Sequence, residues 1–592
     1  MRRLLFAILL LINLPAAGQG FLKTNGAAIV NGERKEIILR GMGLGGWMLQ
    51  EPYMLKLSGA AVAQHDIRKK IVDLVGEEKT KTFYEAWWAN HCTKADIDSM
   101  AAWGFNSVRL PMHFNLYTLP IEKEPIKGQH TWIEKGFVLT DSLLSWCKVN
   151  KMYLILDLHA APGGQGNDNA ISDRDPLLPS LWESEENKRK TIALWVKLAD
   201  RYKDEEWIGG YDLINEPNWG FKDGENKNGC DEKENKPLFQ FQKDITTAIR
   251  AVDKNHIIFA EGNCWGNNYN NMLPLWDDNI VISFHKYWNY NNDSSIIKFI
   301  DYRKKYNVPI WLGETGENSN AWFTDVIQLL EKNNIGWAMW PLKKSGINNL
   351  LQVKIDSGMN KVINYWKKEG SKPPPDEAFG SLMKFAANTH IKNNIIHHGV
   401  IDALFRQVHS ARAIPFKGNT ISDRTKIFAS DYDMGRSGVT YHDKDSAEYW
   451  VSTGKRTGWN TGGAYRNDGV DIGPCKDTAT NGYYVGWIEE GDWMQYSVYT
   501  SAEGSYDVYF RFSTSDTSGQ GKWTITVNNQ LEKQFEMNNT GGDQQWEDSK
   551  QVPIRFKRGW NVIRVIADKA GLNLHYFVLT KNNKTISTQN HP

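Results

Sequence analysis

Eight short apolar runs separated by helix-like segments limit what this chain can fold into. The runs span residues 37–41, 107–111, 153–159, 208–216, 256–261, 280–287, 309–314 and 335–340. Between them lie segments with helical spacing, among them 95–103, 138–150, 187–203, 238–253, 294–306 and 322–333. Apolar runs without polar alternation suit strands covered on both faces, and strand–helix alternation implies a parallel sheet. Eight repeats over about 350 residues predict an α/β fold, a (β/α)8 TIM barrel with insertions. The competing arrangement is an open doubly wound sheet. It needs a glycine fingerprint after its first strand and an acidic residue ending its second. Gly41-Met-Gly-Leu-Gly-Gly46 is glycine-rich, but Trp47 follows and no such acid is in place, so dinucleotide binding is rejected.

A barrel of this kind concentrates function at the C-terminal ends of its strands. The polar residues that close the apolar runs are Arg109, His159, Asn215-Glu216, Glu261, His285 with Tyr287, Glu314 and Trp340. Any one of them alone could be a satisfied core group, but a barrel gathers all of them on one face. The set holds two carboxyls on well-separated strands, Glu216 and Glu314. It holds no serine or cysteine paired with a histidine and no metal-ligand spacing. Two carboxyls across a cleft are the apparatus of glycosidic bond cleavage, one protonated and one ionised. If Arg109 lies beside Glu314 it keeps that group ionised, and the negative charge in turn raises the pKa of Glu216 toward general-acid duty. Asn215 is a candidate for a sugar hydroxyl, His285 and Tyr287 for orienting the nucleophile, and Trp340 for the pocket floor.

The rest of the 592-residue chain fits this reading. A net charge of +1 gives no electrostatic case for nucleic acid. The 25 Trp, 23 Tyr and 23 Phe suit ring stacking on the flat apolar faces of sugars. Arg2-Arg3, the apolar run 4–14 and Pro15-Ala-Ala-Gly18 read as a cleavable signal peptide over 1–18, which predicts a secreted or periplasmic protein with no membrane span. The five cysteines allow one disulfide, with no pairing favoured and no metal motif. Ala27 to Gly41 reads as a hairpin turning at Asn31-Gly32. His397-His398 reads as a solvated pair. The barrel is expected over 21–390 and a linker over 391–422. From 423 to 582 short alternating runs and turn clusters predict a β-sandwich with a binding role.

The motifs Val108-Arg109-Leu-Pro111, Asp157-Leu-His159, Asn215-Glu216-Pro217, His285-Lys-Tyr287, Leu312-Gly-Glu314 and Trp337-Ala-Met-Trp340 resemble glycoside hydrolase family 5, over residues 25 to 370. The resemblance implies a retaining hydrolase that needs no cofactor, with Glu216 as acid/base and Glu314 as nucleophile. It implies that Arg109, His159, Asn215, His285, Tyr287 and Trp340 line the sugar site, and that the two carboxyls lie about 5 Å apart. Leu44-Gly-Gly-Trp47 with Glu51-Pro-Tyr53 is similar to the exo-β-1,3-glucanase branch, which makes Glu51 a candidate for the terminal glucose. Leu156 to Gln165, with Asn167-Asp168-Asn169, points the same way. The loops Glu314-Thr-Gly-Glu317 and Trp288-Asn-Tyr290 depart from that branch. A β-1,4-glucanase or mannanase, and a non-catalytic glycan-binding protein, are the alternatives. Trp219, Trp265 and Trp288 are rim candidates.

Tyr441-His-Asp-Lys-Asp-Ser446, Gly463 to Asp471, Val485 to Trp493 and Asn573-Leu-His-Tyr576 look like carbohydrate-binding module family 6. By motif position its glycan site would use Trp487, Trp546 and Asn573. Two glutamates that usually open such a module, one of them helping to hold calcium, are absent from Ile427-Phe-Ala-Ser-Asp431. A structural calcium is therefore absent or depends on Asp431. The expected partner is a polysaccharide, and the expected state a monomer.

Overall fold

The computed structural model describes residues 20–222, 225–444, 459–515 and 521–582. The signal segment, Asp445-Ser446 and most of the 516–521 turn lie outside the described residues.

Eight parallel strands form a closed barrel: β1 (Arg40–Gly43), β2 (Ser107–His113), β3 (Tyr153–Ala160), β4 (Ile208–Asp212), β5 (Ile257–Glu261), β6 (Ile280–His285), β7 (Ile310–Gly316) and β8 (Gly336–Trp340). Their order round the barrel is the chain order, with β8 beside β1. Every residue of β2, β3, β4, β5, β6, β7 and β8 is buried. This is the physical reason the sequence shows unbroken apolar runs: helices cover one face and barrel side chains fill the other. Strand β1 starts at Arg40 rather than in the apolar 37–39. It carries Gly43 because a wide ring lies against it. A Cβ on Gly43 would sit 2.4 Å from the Trp340 ring, and one on Gly45 2.7 Å from it. The glycine run thus seats an indole rather than a phosphate.

The chain divides into two compact units. One comprises residues 20–39, Asn106–Phe284 and Ile300–Trp311. The other comprises Arg40–Phe105, His285–Phe299 and residues 312–582. In the first, Lys23–Asn25 pairs with Ala28–Val30 across Gly26. The next loop is closed by Asn31, whose side-chain oxygen accepts from the Glu33 and Lys35 amides. Cys230 and Cys264 form a disulfide, while Cys92 and Cys147 are buried thiols.

In the second unit, helices Gln64–Val75, Glu77–His91, Ser357–Trp366 and Pro375–Asn388 share an apolar cluster with Trp87, Trp366, Leu382 and Phe385. Pro375 opens the last helix at its first turn, where a missing amide proton costs nothing. Residues 391–422, expected as a linker, contain secondary structure. Ile395–Ile396 pairs with Leu351–Gln352, and helix His398–Leu404 receives Thr324 Oγ1 at the Ala403 carbonyl. His397 is not solvated: it is buried against Gln352 at 3.0 Å, and burial pushes its imidazole down to about 4. A buried neutral ring accepting or donating one bond explains the difference from the solvated reading.

The C-terminal region is a β-sandwich of two antiparallel-rich sheets. One is built round Trp493–Thr500, Gly559–Ala567, Gly521–Val527 and Gln530–Met537, the other round Tyr483–Val485, Asn573–Lys581 and Gly504–Thr514. Burial alternates along Gly504–Thr514 and Gly559–Ala567, as expected for strands with one face in the core and one toward water. Trp523, Phe510, Phe577 and Tyr496 centre that core.

Candidate active site

In the first unit the strand ends converge on Arg109. This fully buried guanidinium donates from Nε to Asp212 Oδ2 at 2.9 Å and from Nη2 to Asn215 Oδ1 at 2.8 Å and Glu261 Oε1 at 3.2 Å. Asp157 Oδ2 lies 3.2 Å from Nη1. One cation on β2 therefore ties together acids from β3, β4 and β5. Three carboxyls round one guanidinium leave an excess of buried negative charge, and burial raises Asp212 well above the usual carboxylate range. The Glu261 and Asp157 charges push Asp212 the same way, and Arg109 opposes them.

That scaffold sets the two residues that follow β4. The strand stops at Asp212, so Asn215 and Glu216 stand in the turn beyond it rather than on the strand itself. Asn215 has both ends of its amide committed. Its oxygen accepts from Arg109, and its Nδ2 donates to His159 Nε2 at 3.2 Å. His159 in turn donates Nδ1–H to Asp157 at 2.7 Å, which fixes the tautomer with Nε2 as acceptor. Gln165 donates to the carbonyls of His159 and Asn215, holding the two strand ends together. Glu216 has φ 44°, in the left-handed region, a conformation that costs a non-glycine residue about 1–3 kcal/mol. It is held there by Glu261, whose Oε2 accepts the Glu216 amide at 2.7 Å, and by Asn218, which donates to the Glu216 carbonyl. Strain of this sort, overdetermined by its neighbours, marks a working position.

In the second unit, Glu314 on β7 is buried and accepts from Tyr287 Oη at 2.8 Å. His285 Nδ1 stands 3.6 Å from the same oxygen, and the Lys286 amide donates to the Glu314 carbonyl. Trp340 ends β8 and donates Nε1–H to Tyr53 Oη at 3.1 Å. Burial, with Glu317 and Glu51 nearby, raises the Tyr53 phenol well above its ordinary value, so it stays a neutral donor. Glu51 precedes the short helix Pro52–Leu55 and is only 5 % exposed, which makes it a buried carboxyl rather than a solvated loop group. Trp288 is exposed and stacks on Tyr287, while Trp219 faces the Arg174 guanidinium at 4.9 Å. Trp265 bonds to Asp168.

Groups of metal-ligand type stand at these strand ends, His159 with Asp157 and His285 with Glu314. One oxygen of each acid already serves the contacts just described: Asp157 Oδ2 receives Arg109 and His159, and Glu314 Oε2 receives Tyr287. The arrangement suits acid–base and nucleophilic chemistry by carboxyls.

On the sandwich, Trp487 is 50 % exposed and stacks on Tyr484 with centroids 6.0 Å apart. Trp546 meets the edge of the same tyrosine at 5.6 Å. A Cβ on Gly486 would lie 2.8 Å from Asn573 Oδ1, so glycine there lets the backbone run past the asparagine. Asn573 donates to the Asp543 carbonyl at 3.0 Å. The three expected residues thus surround one tyrosine that the sequence reading missed. Its signal was the Tyr483-Tyr484 doublet three residues before Trp487. Asp431 accepts from Tyr465 Oη at 2.5 Å, and burial raises its carboxyl. One of its oxygens is thus already committed to Tyr465, which weighs against its serving calcium.

Also missed were the roles of Asp157, Asp212 and Glu261. Each is an acid inside a strand that is otherwise apolar or aromatic, which was visible, but partners across strands depend on register.

Residues 72–346 match the family model described as Cellulase (glycosyl hydrolase family 5), and residues 463–582 match carbohydrate binding module (family 6). The chain is 26 % identical over 374 residues to a beta-xylosidase of Phanerodontia chrysosporium, covering 57 % of this chain and 74 % of that one. It is 27 % identical over 190 residues to a probable glucan 1,3-beta-glucosidase A of Aspergillus niger, covering 31 % and 42 %. It is 25 % identical over 318 residues to endoglucanase C of Acetivibrio thermocellus, covering 43 % and 84 %. The match to the Aspergillus protein thus spans less than half of that relative's length.

Proposed function

This chain is a glycoside hydrolase that carries a family 5 catalytic domain and a family 6 carbohydrate-binding module, and from that premise we propose that it is an exo-acting β-1,3-glucan hydrolase. Family 5 enzymes retain anomeric configuration and need no cofactor. Glu314 attacks the anomeric carbon and forms a glycosyl ester. Glu216 gives its proton to the departing glycosidic oxygen. It then takes a proton from water as the water's oxygen attacks the same carbon and releases Glu314. Tyr287 donates to Glu314 and fixes the attacking oxygen. Asn215, aligned by Arg109 and His159, is set to bond the 2-hydroxyl, where bonds tighten in the transition state. Trp340 floors the sugar site.

The observation behind the exo-1,3 reading is the buried carboxylate Glu51, in the loop directly after β1. A carboxylate in that loop suits recognition of the hydroxyls of a terminal sugar residue, which supports exo action. The relative named glucan 1,3-beta-glucosidase supports it, while the relative named endoglucanase C supports an endo-1,4 alternative. Laminarin, carboxymethyl-cellulose and mannan separate them, with Glu216→Gln and Glu314→Gln as controls. Glucose as the sole product from laminarin is expected. A ladder of oligosaccharides, or activity on the 1,4-linked polymers alone, overturns the exo-1,3 assignment. Trp487, Tyr484, Trp546 and Asn573 hold the module on glucan. Export is part of the same proposal and rests on Arg2-Arg3 and the apolar run after them.

A further inference from the structure

The loop that follows the nucleophile strand is gripped by the sandwich. Strand β7 ends at Gly316, and Glu317 turns the chain at φ 54° into the helix Asn320–Lys332. Asn467, within the Gly463-to-Asp471 motif, donates Nδ2–H to the Asn318 carbonyl at 2.8 Å and to Asn320 Oδ1 at 3.1 Å. The Asn467 carbonyl accepts the Asn320 amide at 2.9 Å, satisfying a donor that the first turn of that helix leaves without an intrahelical partner. Asn320 Nδ2 donates to Asp468 Oδ1 at 2.8 Å. Asn318, Ser319, Asn320, Asn467 and Asp468 are all buried.

The gripping pair is itself rigidly framed. Asn467 Oδ1 accepts from Trp459 Nε1, and Asp468 Oδ2 accepts from Arg466 Nη2 at 2.8 Å and Tyr432 Oη at 3.2 Å. Arg466 is buried between the rings of Tyr432 and Phe416. On the other side the loop reaches the nucleophile. Asn318 Nδ2 donates to the Tyr287 carbonyl at 3.4 Å, and Tyr287 Oη donates to Glu314. Lys344 pins Glu317 at 2.8 Å.

We propose that Asn467 and Asp468 are positioning residues for the catalytic centre, and that the carbohydrate-binding module is a fixed brace of the nucleophile loop as well as a glycan anchor. The path runs from Asn467 through Asn318 and Tyr287 to Glu314. An appended binding module raises the local concentration of polymer and leaves the turnover of a small soluble substrate untouched. A brace does otherwise. Small displacements of catalytic groups cost rate steeply. Loosening the Tyr287 bond also removes a donor that favours the ionised nucleophile, so its pKa rises.

The test uses the full chain and a soluble trisaccharide of whichever glucan the wild type cleaves. Asn467→Ala is expected to lower kcat about tenfold with little change in KM, and to move the acidic limb of the kcat/KM profile to higher pH. A fraction of unfolded enzyme would scale the profile without moving its limb, and circular dichroism with thermal unfolding checks the fold. If Asn467→Ala does not fold, Asn320→Ala removes the Asn320 side-chain bonds to Asn467 and Asp468 from the barrel side and is read the same way. Unchanged kcat and an unmoved limb in the folded variant overturn the proposal. The inference rests on Glu314 as nucleophile: retained turnover in Glu314→Gln overturns that assignment, whereas an inert Glu314→Gln beside an unaffected Asn467→Ala overturns only the brace.

Discussion

Lys286 sits between His285 and Tyr287, and its ammonium is buried. It donates to the Asn289 carbonyl and to Asn291 Oδ1 at 2.7 Å and faces the Trp322 ring at 4.8 Å, with no carboxylate among these contacts. Burial lowers it to about 7. An unfolded lysine titrates near 10.4, so between about pH 7 and 10 the unfolded chain binds the extra proton. Stability linked to this residue therefore rises across that window and is lowest below pH 7. Lys286→Met is expected to stabilise the protein at pH 6 and to flatten the rise between pH 7 and 10, read by urea unfolding at several pH values. An unchanged slope would show that the ammonium is solvated.

Asp212 gives the opposite sign, because its folded value is raised. The native state holds a proton that the unfolded chain releases above about pH 4, so stability falls as pH climbs toward the folded value. Asp212→Asn mimics the protonated acid and is expected to leave activity near wild type while removing that fall. Asp212→Ala leaves the buried Arg109 cluster short of a partner and is expected to cost about 3–5 kcal/mol. Comparable losses in both variants, in the same unfolding experiment, would place a negative charge on Asp212. Little of this was legible in the sequence. Arg109 read as a site residue because it closes an apolar run, but its carboxyl partners come from three other strands and appear only once the register is known.

At the scale of the element, the barrel strands were legible because burial on both faces leaves them no polar alternation. Their ends were less so. The run 208–216 read as one strand, whereas β4 stops at Asp212 and the strained turn carries the chemistry. Hydropathy does not distinguish Leu213 and Ile214 in a buried turn from the same residues in a strand. The sandwich strands were legible by the opposite pattern, and the 391–422 stretch was not, because its helices are short. The disulfide lay beyond sequence reading, since five cysteines fix no pairing. Cys230–Cys264 joins the loop after β4, which carries Trp219, to the turn after β5, where Cys264 and Trp265 both have left-handed φ. Glu216 itself is held by Glu261 rather than by this bridge. Replacing both cysteines with serine is expected to cost about 2–4 kcal/mol, from a closed loop of some 30 residues, and to raise KM more than it lowers kcat. A fall in kcat with KM unchanged would make the disulfide part of the acid/base support.

At the scale of the whole molecule the question is whether the sandwich and the barrel helices it touches unfold together. Interfaces between domains are commonly small and permit relative motion. Here the contact combines the buried Asn320–Asn467–Asp468 network, the Arg436 guanidinium on the Gln407 carbonyl at 2.7 Å, and Ile414 bridged to Met434. Helix Asn320–Lys332 loses the acceptor of its Asn320 amide when the sandwich is removed, and Asn467 loses the acceptors of its own amide. Each bond exchanged for water in this way costs about 0.5–1.5 kcal/mol net. Both pieces are therefore less stable apart than together, and the full chain is expected to melt in a single endotherm in scanning calorimetry. A chain ending at residue 412 is expected to melt several degrees lower than the full chain, on the basis of a 1 kcal/mol loss shifting a large domain by about 2–4 °C. Two separate endotherms in the full chain, one of them superimposable on that of the truncated barrel, would mean that the sandwich is only tethered.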